Sequence, residues 1–473
     1  MTNTLQQHVS NIRLGAPSAA LTLVVVLLFV VVATQSAQAQ TLKTLHSFDG
    51  TDGSDPQAAL VQGTNGDFYG TTYYGGANGW GTVFKITPSG TLTTLHSFDI
   101  TDGSQIIAGL VQGTHGDFYG TTVEGGPSDC SGGCGTIFKI TPSGTLTTVH
   151  SFDGTDGSNP QAALVQGTSG DFYGTTFEGG ANDFGTIFKI TPSGTLTTLH
   201  SFNFYTDGET PLAGLVQATN GDFYGTTSRG GANGAGTVFK ISPSGALTTL
   251  DSFDGTDGSY PQAGLVQATN GDFYGTTGYG GVCCGTIFKM TPSGTLTTLH
   301  SFDGTDGSFP AASLVQATDG HFYGTTYYGG ANGDGTVFKI TPSGALTTLH
   351  SFDNTDGGNP SAALIQAANG KFYGTTSDGG ANGDGTVFSL SVGLGPFVET
   401  QPTSGKVGAA VKILGTDLTG TTSATFNGTA ATFTVVSSSE IKTTLPTGAT
   451  TGTVEVTTPK GTLKSNVVFR VTN

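Results

Sequence analysis

Residues 56–104 read PQAALVQGTNGDFYGTTYYGGANGWGTVFKITPSGTLTTLHSFDITDGS, and variants of this stretch fill the chain from residue 41 to about residue 394. The block FYGTT begins at Phe68, Phe118, Phe172, Phe223, Phe273, Phe322 and Phe372. The block GT[VI]F begins at Gly81, Gly135, Gly185, Gly236, Gly285, Gly335 and Gly385, so both blocks occur in seven copies. A period of about fifty residues describes a supersecondary unit that cannot bury its faces alone and stacks on its neighbours.

Each copy divides into four strand candidates, in the first copy 58–62, 67–73, 82–87 and 92–98. Asn65-Gly66 marks a tight hairpin between the first two, and Pro88-Ser89-Gly90 a tight turn between the last two. The other connections, YGGANGWG and DGTDGSDP, are longer. In an antiparallel unit the short turns fall on one side and the long loops on the other, and function collects on loops. Apolar residues sit on both faces of the strands, as with Val83 and Phe84. That pattern suits sheets covered on both sides, as between the blades of a propeller.

The phase of the repeat predicts closure. The repeats open on a fourth strand (41–48, TLKTLHSF) and end on a third (387–392, VFSLSV). Pairing these removes an open edge. The expected fold is all-β: a seven-bladed β-propeller over 40–394 closed by the N-terminal strand, then an immunoglobulin-like β-sandwich. An open solenoid would need distinct capping repeats, and none is visible.

The pattern L-V-Q-x-x-x-G-x-F-Y-G-T-T, continuing through G-G, G-T-[VI]-F-K-I, P-S-G and L-H-S-F, resembles the GloVer tandem repeat of exported bacterial proteins. It covers about three quarters of the chain. The resemblance implies export and a propeller-like architecture, and no particular chemistry. After Gly395 the period stops. Residues 396–473 carry P-x-S-G, A-x-F-N-G, I-x-x-x-L-P-x-G-A and V-x-V-x-T-P-x-G, and resemble an IPT/TIG domain. Such immunoglobulin-like domains imply a stalk, spacer or contact module.

Composition narrows the partners. Charged residues make up 10% and the net charge is −17, a balance that argues against nucleic acid or anionic membrane. Arg13 precedes an apolar run at 21–33, and Ala37-Gln38-Ala39 offers a small-x-small cleavage site. An export signal at 1–39 is expected, with no membrane-spanning segment left after cleavage and a secreted or cell-surface destination.

Candidate chemistry is sparse. Histidines 46, 96, 150, 200, 300 and 350 recur at one position of the fourth strand, with Asp251 in the remaining copy. One per unit around a rim cannot converge on a metal, so a hydrogen-bonding role between blades is expected. His115 and His321 adjoin turns and are expected in solvent. The FDGTDGS loops pair carboxylates with glycine, a Ca²⁺ signal. The run is shorter than an EF-hand loop and lacks its distal glutamate, and an aspartate-capped turn explains it equally well. No cofactor is expected, with Ca²⁺ the one ion to test. Cys130 and Cys134 in CSGGC suit a local disulfide in an exported chain, with zinc the competing reading on a single CxxxC that lacks matching ligands; Cys283 and Cys284 suit either a vicinal disulfide or two thiols.

The informative column precedes the Gly-Gly doublet and holds Tyr74, Glu124, Glu178, Arg229, Tyr279, Tyr328 and Asp378. Tyr73, Phe177, Tyr327 and Trp80 flank it. A column that varies in charge and size on an otherwise fixed framework is how a scaffold carries a site. Exposed aromatics with scattered carboxylates suit an extracellular polysaccharide or a protein; drift on an unconstrained loop is the competing reading. Glu124 and Glu178 are the carboxylates available to a polysaccharide hydrolase or lyase, with Arg229 beside them. Neither sits in a distinctive motif, and no long insertion breaks the repeat. A non-enzymatic binding protein is therefore expected, with a structural surface component as the third reading.

Overall fold

The computed structural model describes residues 40–127, 130 and 132–472; the expected export signal lies outside them. Among the described residues every regular element is a β-strand, and no helix is long and apolar enough to cross a membrane. The repeats form seven open four-stranded sheets. The first runs Val61–Gln62, Phe68–Thr72, Thr82–Ile86 and Leu92–Ser97, each strand paired with the next. The last combines Ile365–Gln366, Phe372–Thr376 and Thr386–Ser391 with Thr41–Ser47 from the start of the chain. Thr41 lies opposite Ser391 and Ser47 opposite Thr386, so the two ends of the repetitive region pair as their phase predicts.

The inner strand is shorter than expected, two residues instead of five. Residues 58–60 leave the ladder because their backbone serves a neighbour: the Ala58 carbonyl accepts the Thr375 hydroxyl at 3.2 Å. Pro56, which lacks an N–H, and Asp55 at φ 55° turn the chain into this course. The outer strands carry a bulge, His96 and Thr94 pairing with the consecutive Val83 and Phe84.

Burial explains the invariant letters. The Phe84 ring lies over Gly70, where a Cβ would come within 2.5 Å of Phe84 Cζ, so the strand needs glycine there. Phe68, Phe84, Ile86 and Phe98 are fully buried, each contributing about 1.5–3 kcal/mol. Adjacent sheets are also joined by hydrogen bonds. Thr71 Oγ1 donates to the Ala108 carbonyl at 3.2 Å, and Thr121 likewise to Ala162. One apolar cluster unites Phe68 and Phe84 of the first sheet with Tyr373 and Val387 of the last.

The tail forms two further four-stranded sheets. Their strands include Glu399–Gln401, Ala410–Leu414 and Glu440–Thr444 in one, and Ser423–Phe426 and Val454–Thr458 in the other. Val454, Val456 and Thr458 are buried while Glu455 and Thr457 are less so, the period of a sheet with one face inward. Val398, Ile413, Phe426, Ile441 and Val456 are part of the core between the sheets. The tail meets the repeats through Ser439 Oγ, which donates to the Thr64 carbonyl at 3.0 Å, and Gln401 Nε2, which donates to the Gln112 carbonyl at 3.2 Å. The Phe397 N–H also reaches the Ala368 carbonyl. These acceptors all lie at the short hairpin turns, leaving the long loops clear.

A candidate binding face on the long loops

Two long loops per repeat are tied into one platform. Tyr74 and Ser54 exchange backbone hydrogen bonds at 2.9 and 3.1 Å, and Gly76 N–H bonds to the Gly50 carbonyl. The doublet that follows must be glycine. Gly75 and Gly76 sit at φ 80° and 78°, and a Cβ on Gly75 would meet the Gly50 carbonyl oxygen at 2.6 Å. Below it, the buried Thr72 and Thr82 hydroxyls bond each other at 2.9 Å. This framework repeats, and the residue before the doublet projects from it.

The structure adds a second variable column that sequence reasoning missed. The residue before the proline (isoleucine in the second copy) is Asp55, Gln105, Asn159, Thr210, Tyr260, Phe309 or Asn359. All seven hold positive φ, from 53° to 59°. Such a conformation is uncommon for a non-glycine residue and an outlier for bulky ones such as Tyr260 and Phe309. Backbone bonds hold it: Gln105 N–H reaches the Trp80 carbonyl, and the Gln105 carbonyl accepts the Val123 N–H. The available signal was variation beside a fixed proline.

The two columns meet. Arg229 lies over the Tyr260 ring at 5.7 Å. Tyr260 and Tyr279 have ring centroids 5.8 Å apart, Tyr279 and Phe309 5.0 Å, and Phe309 and Tyr328 6.4 Å. Tyr327 closes on Tyr328 at 4.5 Å. An aromatic arc therefore crosses the fourth to sixth sheets. Tyr279 and Tyr328 are 53% and 51% exposed, enough to offer ring faces. On the first sheet Tyr73 packs against exposed Tyr74 at 4.3 Å and donates its hydroxyl to Gln105 at 2.9 Å. Burial pushes Tyr73 up to about 12, with Tyr74, Glu124 and Asp55 adding to it.

Carboxylates fill the rest. Burial raises Asp55, and the nearby Asp378 raises it further against the lowering bond from Gln57. Burial likewise raises Asp378, opposed by Ser377. Glu178 is exposed, with Asn159 at 3.4 Å, and Glu124 is half-buried beside Tyr73. Among the described residues Glu124 and Glu178 share no hydrogen bond with each other. Phe177 is half-buried, and Trp80 is exposed at the end of its loop, bridged to Gly75. A cavity of about 170 Å³ is lined by the inner segment of every repeat, including Gln57, Ile107, Leu212 and Ser361.

Each of the recurring histidines is paired with a carboxylate of the long loop that follows it. His46 Nε2 lies 2.7 Å from Asp52 Oδ2 in the loop that follows, and the Asp52 carbonyl accepts the Thr82 hydroxyl of the next sheet at 3.2 Å. The same pairing recurs at His96, His150, His200, His300 and His350. Both Asp52 carboxylate oxygens are thereby engaged, Oδ1 accepting the Asp49 N–H, while Asp49 Oδ1 accepts the Thr51 N–H and hydroxyl. No group of three or more His, Cys, Asp or Glu side chains converges for a metal among the described residues. Asp251 has no imidazole to offer Asp257. Its Oδ2 is buried without a hydrogen bond, and burial followed by Asp257 and Asp254 pushes it up to about 6. His321 is half-buried and bonded to Asp319 at 2.9 Å, in place of the expected solvation, because the hairpin turn folds the carboxylate back onto it. Cys130 is bonded to Cys134 and Cys283 to Cys284. The Cys284 carbonyl holds the Phe309 N–H at 2.9 Å, so the second disulfide sits under the arc.

Sheets stacked by repetition, one face of uniform turns and one of variable loops, and a sandwich on the turn side define a propeller-like repeat protein with an immunoglobulin-like tail. The chain belongs to the Gloeobacter/Verrucomicrobia repeat family, matched over residues 30–166, 128–318 and 282–433, and its tail is an IPT/TIG domain over 397–471. No curated protein matches the sequence. Among solved structures, the Pseudomonas aeruginosa periplasmic gluconolactonase is similar at 16% identity and a TM-score of 0.44, covering 69% of this chain and 97% of that one. A Bacteroides thetaiotaomicron protein of unknown function is similar at 14% identity and a TM-score of 0.43, covering 75% and 76%. Nothing about activity follows from likeness at this level.

Proposed function

We propose that the seven sheets are the blades of a propeller closed by Thr41–Ser47, and that the long-loop face binds an extracellular ligand, a saccharide in the first instance. In this reading the chain is exported to the cell surface or medium, performs no catalysis, and uses the IPT/TIG domain as spacer or contact module. One observation carries it. Among the described residues of the repeats, the large exposed apolar side chains are Tyr74, Trp80, Ile100, Tyr205, Tyr279, Val282 and Tyr328, and each stands on a long loop. A folded chain leaves such residues out of its core in one place when that place meets a partner.

The test is a panel of poly- and oligosaccharides, assayed for retention and for released product. Retention that disappears in Tyr279→Ala and Tyr328→Ala supports the reading. Release of shortened product would replace it with the hydrolase or lyase alternative. Retention unchanged by both substitutions would move the site off this face.

A further inference from the structure

The charge around the aromatic arc narrows the ligand. On the long loops Arg229 is the one basic side chain among the described residues, and it is already engaged over the Tyr260 ring. Burial raises Glu209, and Arg229, whose backbone pairs with that of Glu209, opposes that rise. Against this single cation stand Asp55, Glu124, Glu178, Asp334, Asp378 and further loop aspartates. Asp55 and Asp378 lie close enough that the charge on one disfavours ionisation of the other. Tyr327 is raised by burial, with Asp378 and Asp55 adding to it, so the arc ends beside these two acids. The Asp334 backbone pairs with Gly329, immediately after Tyr328, and a Cβ on Gly358 would lie 3.7 Å from Asp334 Cβ and 3.9 Å from Asp378 Cβ, so these two acids flank one spot.

Such a surface repels an anionic polymer and rewards positive charge twice, through carboxylates and through tyrosine faces. The rings from Tyr260 to Tyr328 stand with centroids 5.0 to 6.4 Å apart and planes tilted by 38° to 58°, a run of adjacent apolar surfaces instead of one closed pocket. A flexible lysine-rich peptide would gain from the charge but present no flat apolar face to the rings. A sugar ring does present one.

Resting on the binding role proposed for this face, we infer that its ligand is a polysaccharide bearing free amino groups, its sugar rings packed on Tyr279, Phe309 and Tyr328 and its ammonium groups set against Asp378, Asp55 and Asp334. The arrangement disfavours uronic-acid polymers and sulfated glycans. N-acetylation removes the charge and adds bulk where the carboxylates stand, so the acetylated form loses the polar half of the interaction.

The experiment is calorimetric titration of the purified chain with a glucosamine hexamer, an N-acetylglucosamine hexamer, an oligogalacturonate and poly-lysine. The glucosamine hexamer should bind at least about tenfold more tightly than its acetylated counterpart, and the oligogalacturonate should not bind. Affinity for the glucosamine hexamer should fall with added salt, fall several-fold in Asp378→Asn, and fall at least about tenfold in the Tyr279→Ala/Tyr328→Ala double variant. Equal or tighter binding of the acetylated hexamer, with the same dependence on the tyrosines, would overturn this inference and leave the face as a saccharide site. Poly-lysine binding as tightly as the glucosamine hexamer, indifferent to the tyrosines, would overturn it in favour of charge alone. Failure of these three saccharides beside retention of another on the wider panel would overturn this inference alone, and failure of the whole panel would remove the saccharide role itself.

Discussion

Tyr373 of the last sheet packs on Phe68 of the first, with ring centroids 4.1 Å apart and planes inclined by 33°. Tyr69 packs on Phe118 at 4.1 Å and Tyr173 on Phe223 at 4.0 Å in the same way. The contact between residues about three hundred positions apart is thus made by the same pair that joins neighbours in sequence. Repetition has produced a surface complementary to itself, and the last unit meets the first with the interface every other unit uses.

If that contact closes the propeller, it carries stability like the others. Tyr373→Ala and Tyr173→Ala should destabilise the chain by similar amounts, roughly 3–5 kcal/mol each as for other large aromatic deletions. Urea denaturation of the two variants checks this. A near-neutral Tyr373→Ala beside a damaging Tyr173→Ala would mean that the ends do not hold together in solution.

The exception among the histidines sets a pH dependence. Asp251 has a folded pKa of about 6 against an ordinary value of 3.8, so folding favours its protonated form. The resulting stability is complete below the ordinary value and lost as pH rises through the folded one. The denaturation midpoint of the natural chain should therefore carry a falling component between about pH 4 and 6. Asp251→Asn should remove that component. An unchanged profile in the variant would place the loss elsewhere.

Trp80 is the only tryptophan of the chain and stands exposed on the long-loop face. Ligand binding across that face should change its fluorescence, whereas the Trp80→Phe chain should be silent. The signal should saturate at the ligand concentration that saturates calorimetry. A ligand that binds without moving the signal occupies only the distant sheets.

The IPT/TIG domain contacts the repeats through the hairpin turns at Thr64 and Gln112, on the side opposite the variable loops. Ending the chain at residue 395 should leave the repeats folded and the affinity of the long-loop face within about twofold, since sites without shared partners behave nearly independently. Circular dichroism and the same titration check both. A large loss of affinity would mean that the tail takes part in binding.

Much of the architecture was readable from one dimension. The seven-fold recurrence, the tight turns at Asn65-Gly66 and Pro88-Ser89-Gly90, and the orphan strand at the start are local signals, because turn chemistry and strand alternation depend on residues a few positions apart. The pairing of Thr41–Ser47 with Thr386–Ser391 followed from counting strands. The column Tyr74 to Asp378 was visible because variation stands out against a fixed repeat.

What needed three dimensions is how the columns meet. Tyr260 and Phe309 precede a proline and look like loop filler, yet a positive φ held by the neighbouring sheet turns them onto Tyr279. The recurring histidines read as hydrogen-bonding residues between blades, yet their partners, Asp52 and its equivalents 2.7 to 2.8 Å away, stand in the following loop. The inner strand looks five residues long until Ala58 gives its carbonyl to Thr375, 317 positions distant. In each case the deciding partner comes from a separate loop or sheet, and a backbone group or side chain that can satisfy either of two partners takes the one that packing brings within reach.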